Sequence, residues 1–209
     1  MSAFLGKIHY LLYDKIQLQE NILEEILKYA ESRNIPAEKI KEEVCGKFGY
    51  PETSPLEEVI DQGNIHGWLQ MKIQGVEERT AAVVTELVNK YSIKVEDIAE
   101  LYFQNGKNTM MNLEQNDFTP KELFALIFNY MLEGMPCDRI NETVQDSDEE
   151  FSWKTTRCIH EEYWNKVKGN ISNFYILRDA WINGFISGNI TKTSYVRNED
   201  GYNIIRRDV

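Results

Sequence analysis

Residues Gly6–Glu20 read GKIHYLLYDKIQLQE, and residues Gly63–Glu77 read GNIHGWLQMKIQGVE. Both fit Gly-x-Ile-His-x-x-Leu-x-x-Lys-Ile-Gln-x-x-Glu, with eight of fifteen positions identical at an offset of 57 residues; unrelated segments of ordinary composition share about one. The match resumes at Asn34-Ile35-x-x-Glu38-x-Ile40 against Ser92-Ile93-x-x-Glu96-x-Ile98, now 58 residues apart, so the second copy has gained one residue. The N-terminal half of the chain is an internal duplication.

Each copy carries apolar residues at helical spacing: Ile8, Leu12, Ile16, Leu23 and Leu27 in the first, Ile65, Leu69, Ile73, Val83 and Leu87 in the second. A long helix therefore opens each copy. A shorter one should follow, capped by Asn34 with Pro36 in its first turn and closed by Gly46 and Gly49, or capped by Ser92 in the second copy. A helical hairpin leaves one face bare, and two copies cover each other in a bundle with pseudo-two-fold symmetry. Ser54-Pro55-Leu56-Glu57-Glu58 begins a short linking helix, and a loop is expected from Gly106 to Asp117. Thr119-Pro120-Lys121-Glu122 starts a helix that is apolar on nearly all sides and stops at Gly134 and Pro136. Such a helix is central or lies at an interface, and the segment 120–133 is the candidate contact for a homo-oligomer.

The period then changes. The acidic run Asp146–Glu150 is loop-like, Phe151–Thr155 alternates like a strand, Cys158–Lys168 is a helix candidate, and Asn173 caps another helix that ends near Gly184 and Gly188. Thr191–Arg197 and Tyr202–Arg207 flank Asn198-Glu199-Asp200-Gly201, a hairpin turn. The expected fold is mainly α: a duplicated helical-hairpin bundle over 1–115 (repeats about 6–49 and 63–106), an apolar helix and acidic linker over 116–146, and a small α+β unit with a C-terminal β-hairpin over 147–209.

With 42% hydrophobic and 27% charged residues the chain is globular and not disordered. Its 34 acidic against 23 basic residues give a formal charge of -11, which repels phosphate backbones and anionic lipid, so neither nucleic acid nor a membrane surface is an expected partner. The N-terminus places Lys7 and His9 among its apolar residues and does not read as a signal peptide, no membrane span is expected, and the expected setting is the cytoplasm. Three widely spaced cysteines, Cys45, Cys137 and Cys158, exclude a disulfide scaffold or a zinc ribbon.

Candidate chemistry concentrates at the three histidines and at Cys158. His9 and His66 occupy equivalent repeat positions, each eleven residues before a glutamate, Glu20 or Glu77. That spacing returns both side chains to the core-facing stripe but puts them about 16 Å apart along one helix, so a metal site from His9, His66, Glu20 and Glu77 needs a second helix; an antiparallel one would set His9 beside Glu77. The plainer reading is that each histidine satisfies one buried hydrogen bond. Lys15 and Lys72 read as snorkelling helix residues. Cys158, beside Arg157 at a strand-to-helix junction, has the setting of an activated thiol, with a buried structural cysteine as the alternative. The aromatic residues around it, Tyr163 and Trp181 among them, line either a core or a ligand pocket.

Thr156-Arg157-Cys158, an aromatic-rich helix, Asp179 ahead of Gly184-Phe185 and the terminal hairpin together resemble the L-2-amino-thiazoline-4-carboxylic acid hydrolase-like family over about 55 residues. The resemblance implies a small-molecule hydrolase or binding role with Cys158 and Asp179 near the ligand. Where that pattern has a second cysteine before Asp179, this chain has Phe174-Tyr175-Ile176-Leu177.

Two functional readings follow. The first is a binding or regulatory protein that recognises a small ligand, a metal or a partner protein, with no cofactor identified. The second is a hydrolase of amide or other C–N bonds, with Cys158 as nucleophile or ligand and His160 or Asp179 as acid/base; Arg157, Tyr163 and Trp181 are the candidate ligand-binding residues.

Overall fold

The two repeat motifs open two long helices, α1 (Lys7–Ser32) and, after α2 (Ala37–Phe48) and the short α3 (Leu56–Val59), α4 (Ile65–Tyr91). The computed structural model describes residues 5–135 and 138–208, so Cys137 lies outside the described residues. The chain continues through α5 (Val95–Met111), α6 (Pro120–Tyr130), β1 (Asn141–Asp146), β2 (Glu150–Thr155), α7 (Glu161–Lys166), α8 (Ile171–Ser187), β3 (Thr193–Arg197) and β4 (Tyr202–Arg207). It is mainly α, with one small antiparallel sheet towards the C-terminus.

The copies share a local plan. Helices of 26 and 27 residues each end where the equivalent residues Asn34 (φ 61) and Ser92 (φ 56) turn left-handed. This corrects the expected capping roles: both residues end the long helix, as left-handed residues commonly do, and the next helices start from Pro36 and Lys94. The helix after Ser92 also runs through Gly106 to Met111, where a loop was expected.

The described chain forms two compact units, and the second copy is divided between them. The first unit holds residues up to Ile93, with 130–135 and 160–171. In it α1 and α4 run parallel, because the contacts His9–His66, Tyr13–Trp68 and Glu20–Arg79 ascend both helices together. Leu12, Tyr13, Ile16, Ile65, Leu69, Ile73 and Val76 bury one shared core with Leu56, Ile60 and Leu132. Ile8, expected on the same stripe, is 41% exposed in the first turn of α1. Arg79 ties three helices at one point: it pairs with Glu20 of α1 and donates to the Phe48 and Gly49 carbonyls at the end of α2.

The second unit contains α5, most of α6, the sheet and α8. Its sheet has the order β1-β2-β4-β3, all antiparallel. One strand more is present than the sequence pattern showed, because the residues ahead of the acidic run are β1 and that run turns the chain into β2. Thr119 and Glu122 cap each other's backbone N–H at the start of α6. Phe124 of that helix packs its ring 4.5 Å from Phe151 and 4.8 Å from Trp153 of β2.

Gly184 was expected at a helix end, but it lies inside α8 and serves as a packing notch. A Cβ there would sit 1.9 Å from the Phe103 carbonyl oxygen, and one on Gly106 would sit 2.2 Å from that of Trp181, so α5 and α8 approach backbone to backbone. Because main chain cannot yield as a side-chain tip can, Gly184→Ala should destabilise the protein by about 2–4 kcal/mol. A urea titration followed by circular dichroism will show it as a lowered midpoint. A midpoint equal to the parent's would contradict the close crossing.

Candidate functional site

The chain leaves β2 through Thr156–Ile159 and enters α7 with His160 as its N-cap residue and Glu161 and Glu162 in its first turn. Expected from Cys158, the helix begins three residues later, so Cys158 lies in the connecting loop, half-buried, outside the helix terminus that was to activate it. Residues Tyr163 and Trp164 turn inward, as does His160, which is 3% exposed.

His160 Nδ1 lies 3.0 Å from Glu77 Oε1 of α4, and its Nε2 lies 4.0 Å from Glu133 Oε2. A carboxylate can only accept, so the Nδ1–H donates to Glu77, which holds the ring in one tautomer. The Glu133 charge also acts on Lys15 of α1, whose side chain is buried. Burial draws the Lys15 ammonium below the usual lysine range, and the Glu133 charge pulls it part of the way back. Four separate stretches of the first unit thus meet in one buried cluster: Lys15, Glu77, Glu133, and His160 with Tyr163. Burial, then Glu77, Glu162 and Glu78, push the Tyr163 hydroxyl up to about 12.

Repeat symmetry fails at the glutamates. Glu77 holds His160, whereas Glu20 pairs with Arg79 and is pushed above the ordinary glutamate value by burial, which outweighs the arginine. The lysines diverge too: Lys15 is buried, not snorkelling, while Lys72 lies 3.7 Å from Glu52 and over the Trp68 ring. Sequence reading took Lys15 for a snorkelling residue and passed over Glu133. The signal for Lys15 was its place between Leu12 and Ile16 on the apolar stripe; for Glu133 it was an acid directly after an apolar helix.

The residues expected to form a metal site go to three places. Glu20 and Glu77 are engaged as described, and His9 and His66 face each other, with Nε2 atoms 3.3 Å apart. Neither imidazole is core-facing: His9 is half-buried and His66 exposed, in the opening turns of α1 and α4. With α1 and α4 parallel, the antiparallel pairing of His9 with Glu77 does not occur. Among the described residues, no three His, Cys, Asp or Glu side chains converge as a metal-ion group.

The expected catalytic residues are likewise engaged separately. In the second unit Asp179 accepts from Tyr195 Oη at 3.0 Å and from Arg197 Nε at 2.8 Å, and Arg178 lies 3.3 Å away. Of the residues expected to hold a ligand, Arg157 is exposed with its guanidinium 4.0 Å from Asp138, Tyr163 is in the buried cluster, and Trp181 is fully buried against Phe185 and donates to Asn105.

A small cleft of the first unit, lined by Glu20, Lys41, Cys45, Arg79 and Val83 among others, has room for about one water molecule. Burial pushes the Cys45 thiol above its ordinary value, the direction of an inert cysteine. No helix among the described residues is long and apolar enough to cross a membrane. No family model, curated protein or solved structure matches the chain.

Tyr163 makes the buried cluster visible in solution. The folded state holds its proton more tightly than the unfolded chain, so this stabilisation is complete below about pH 10 and drains away as the pH rises to about 12. Absorbance titration at about 295 nm should show a tyrosine ionising late, near pH 12, and Tyr163→Phe should remove that step. Tyr195, pushed up further by burial, remains in the variant as an internal reference. Amplitude lost in the variant from the ordinary tyrosine step near pH 10 instead would place Tyr163 in solvent.

Proposed function

We propose that this chain is a binding or regulatory protein that recognises a small ligand, a metal ion or a partner protein, and that it works in the cytoplasm without nucleic acid. The observation that carries this reading is how its acid and base groups are used. His160 is enclosed and held by Glu77, and Asp179 is held by Tyr195 and Arg197. A nucleophilic cysteine needs a base within hydrogen-bond reach that can exchange protons with the substrate. Here those groups bond to the scaffold, as residues that hold packing do.

The hydrolase reading retains one favourable observation, that Cys158 is only half-buried and is not sealed in the core. Iodoacetamide labelling of native protein, read site by site by mass spectrometry, separates the two. On the binding-protein reading Cys158 reacts no faster than free glutathione around neutral pH, and Cys158→Ser leaves ligand binding unchanged. Cys45 should label only on unfolding. Labelling of Cys158 at neutral pH more than about tenfold faster than glutathione would restore the hydrolase reading.

A further inference from the structure

We propose that His9 and His66 form a two-histidine site for a divalent transition-metal ion, Zn²⁺, Ni²⁺ or Cu²⁺, that clasps the first turns of α1 and α4. The site deepens the binding-protein reading and rests on it for its biological role. Its geometry stands on the pair itself. Nitrogens of two imidazoles bound at 2.0–2.1 Å to one tetrahedral zinc lie about 3.3 Å apart. The two Nε2 atoms are 3.3 Å apart here, so an ion enters by turning rings, without moving either helix.

Duplication explains why two like ligands meet. Parallel α1 and α4 carry the two copies of the motif side by side, and at His9 and His66 equivalent residues stand face to face. Leu12 and Leu69 are buried one turn further along, and the Tyr13 and Trp68 rings pack 6.0 Å apart, so both histidines stand on helices held by packing. The rings are half-buried and exposed, which leaves the remaining coordination positions to water or to a ligand atom from outside. Imidazole suits zinc, copper and nickel, and the chain's charge of -11 draws cations.

Proton placement is part of the mechanism. Gly6 N–H donates to His9 Nδ1 at 3.0 Å, so in the metal-free pair the His9 proton is on Nε2 and points at His66. Metal binding at both Nε2 atoms moves that proton to Nδ1 and releases the Gly6 N–H to solvent. The exchange costs one helix-cap hydrogen bond.

The test uses the full chain without an affinity tag. Isothermal titration with Zn²⁺ and Ni²⁺ should give one ion per chain, and metal at about a hundredfold over its dissociation constant should raise the thermal midpoint on the order of 5–10 °C, reversed by EDTA. His66→Gln and His9→Gln should each abolish the metal-induced rise while leaving the far-ultraviolet spectrum unchanged. With Cu²⁺, electron paramagnetic resonance should show two coupled nitrogens in the parent protein. No heat and no midpoint shift in the parent would overturn the site. A shift retained in the double variant would move metal binding elsewhere, which overturns this site while leaving the binding-protein reading standing.

Discussion

The parallel contact between α1 and α4 is the constraint from which the first unit is built. Each helix carries an apolar stripe that water disfavours, and each large residue buried from it contributes about 1.5–3 kcal/mol. Helices gain most of their stability from covering such a face. Leu12 and Ile16 on one side, and Leu69 and Ile73 on the other, are covered together with residues of α3 and the 130–135 segment. Once the stripes meet in parallel, equivalent residues of the two copies come to the same level. The histidine pair at the open end is a direct result.

Apolar contact tolerates sliding, and charged groups inside the same unit do not. Arg79 reaches Glu20 and the last carbonyls of α2, so a shift of one helix along another would leave a buried guanidinium or carboxylate unpaired. Breaking such a pair costs far more than its net contribution to stability. His160 plays a similar part: its bond to Glu77 ties the start of α7 to the middle of α4. Lys15 and Glu133 add a second pair of opposite charges, so that burying each one depends on the others being in place.

The second unit follows the same logic with different materials. Trp153, Tyr195, Trp181 and Phe185 supply the apolar bulk, while Arg178, Asn203 and Tyr195 make a buried polar network across α8, β3 and β4. Arg178 donates to Tyr195 Oη at 2.8 Å and to Asn203 Oδ1 at 3.3 Å, and the single Tyr195 hydroxyl proton goes to Asp179. Helix α8 meets α5 at glycines, which brings it close enough for Trp181 to hydrogen-bond Asn105. Asp179, which reads in sequence as a functional acid, is part of this network.

Periodicity and punctuation made most elements legible in the sequence: the two long helices, the capped start of α6, the hairpin around Gly201 and the mainly α character. Those features depend on neighbours within a few residues, which a one-dimensional pattern records. Strand β1 escaped because NETVQD is an edge strand with five exposed positions, and an edge without a buried face shows no alternation. The helix expected from Cys158 was placed too early for a related reason: its start at His160 coincides with a bond from that ring to a glutamate 83 residues away. Equivalence of His9 and His66 could be read from the repeat, but their meeting could not, since parallel and antiparallel packing bury the same stripes. Only the tertiary structure chose the parallel one, and with it decided that Glu20 and Glu77, equivalent in the repeat, would pair with an arginine and a histidine, because the residues that meet them, Arg79 and His160, lie outside the repeated motif.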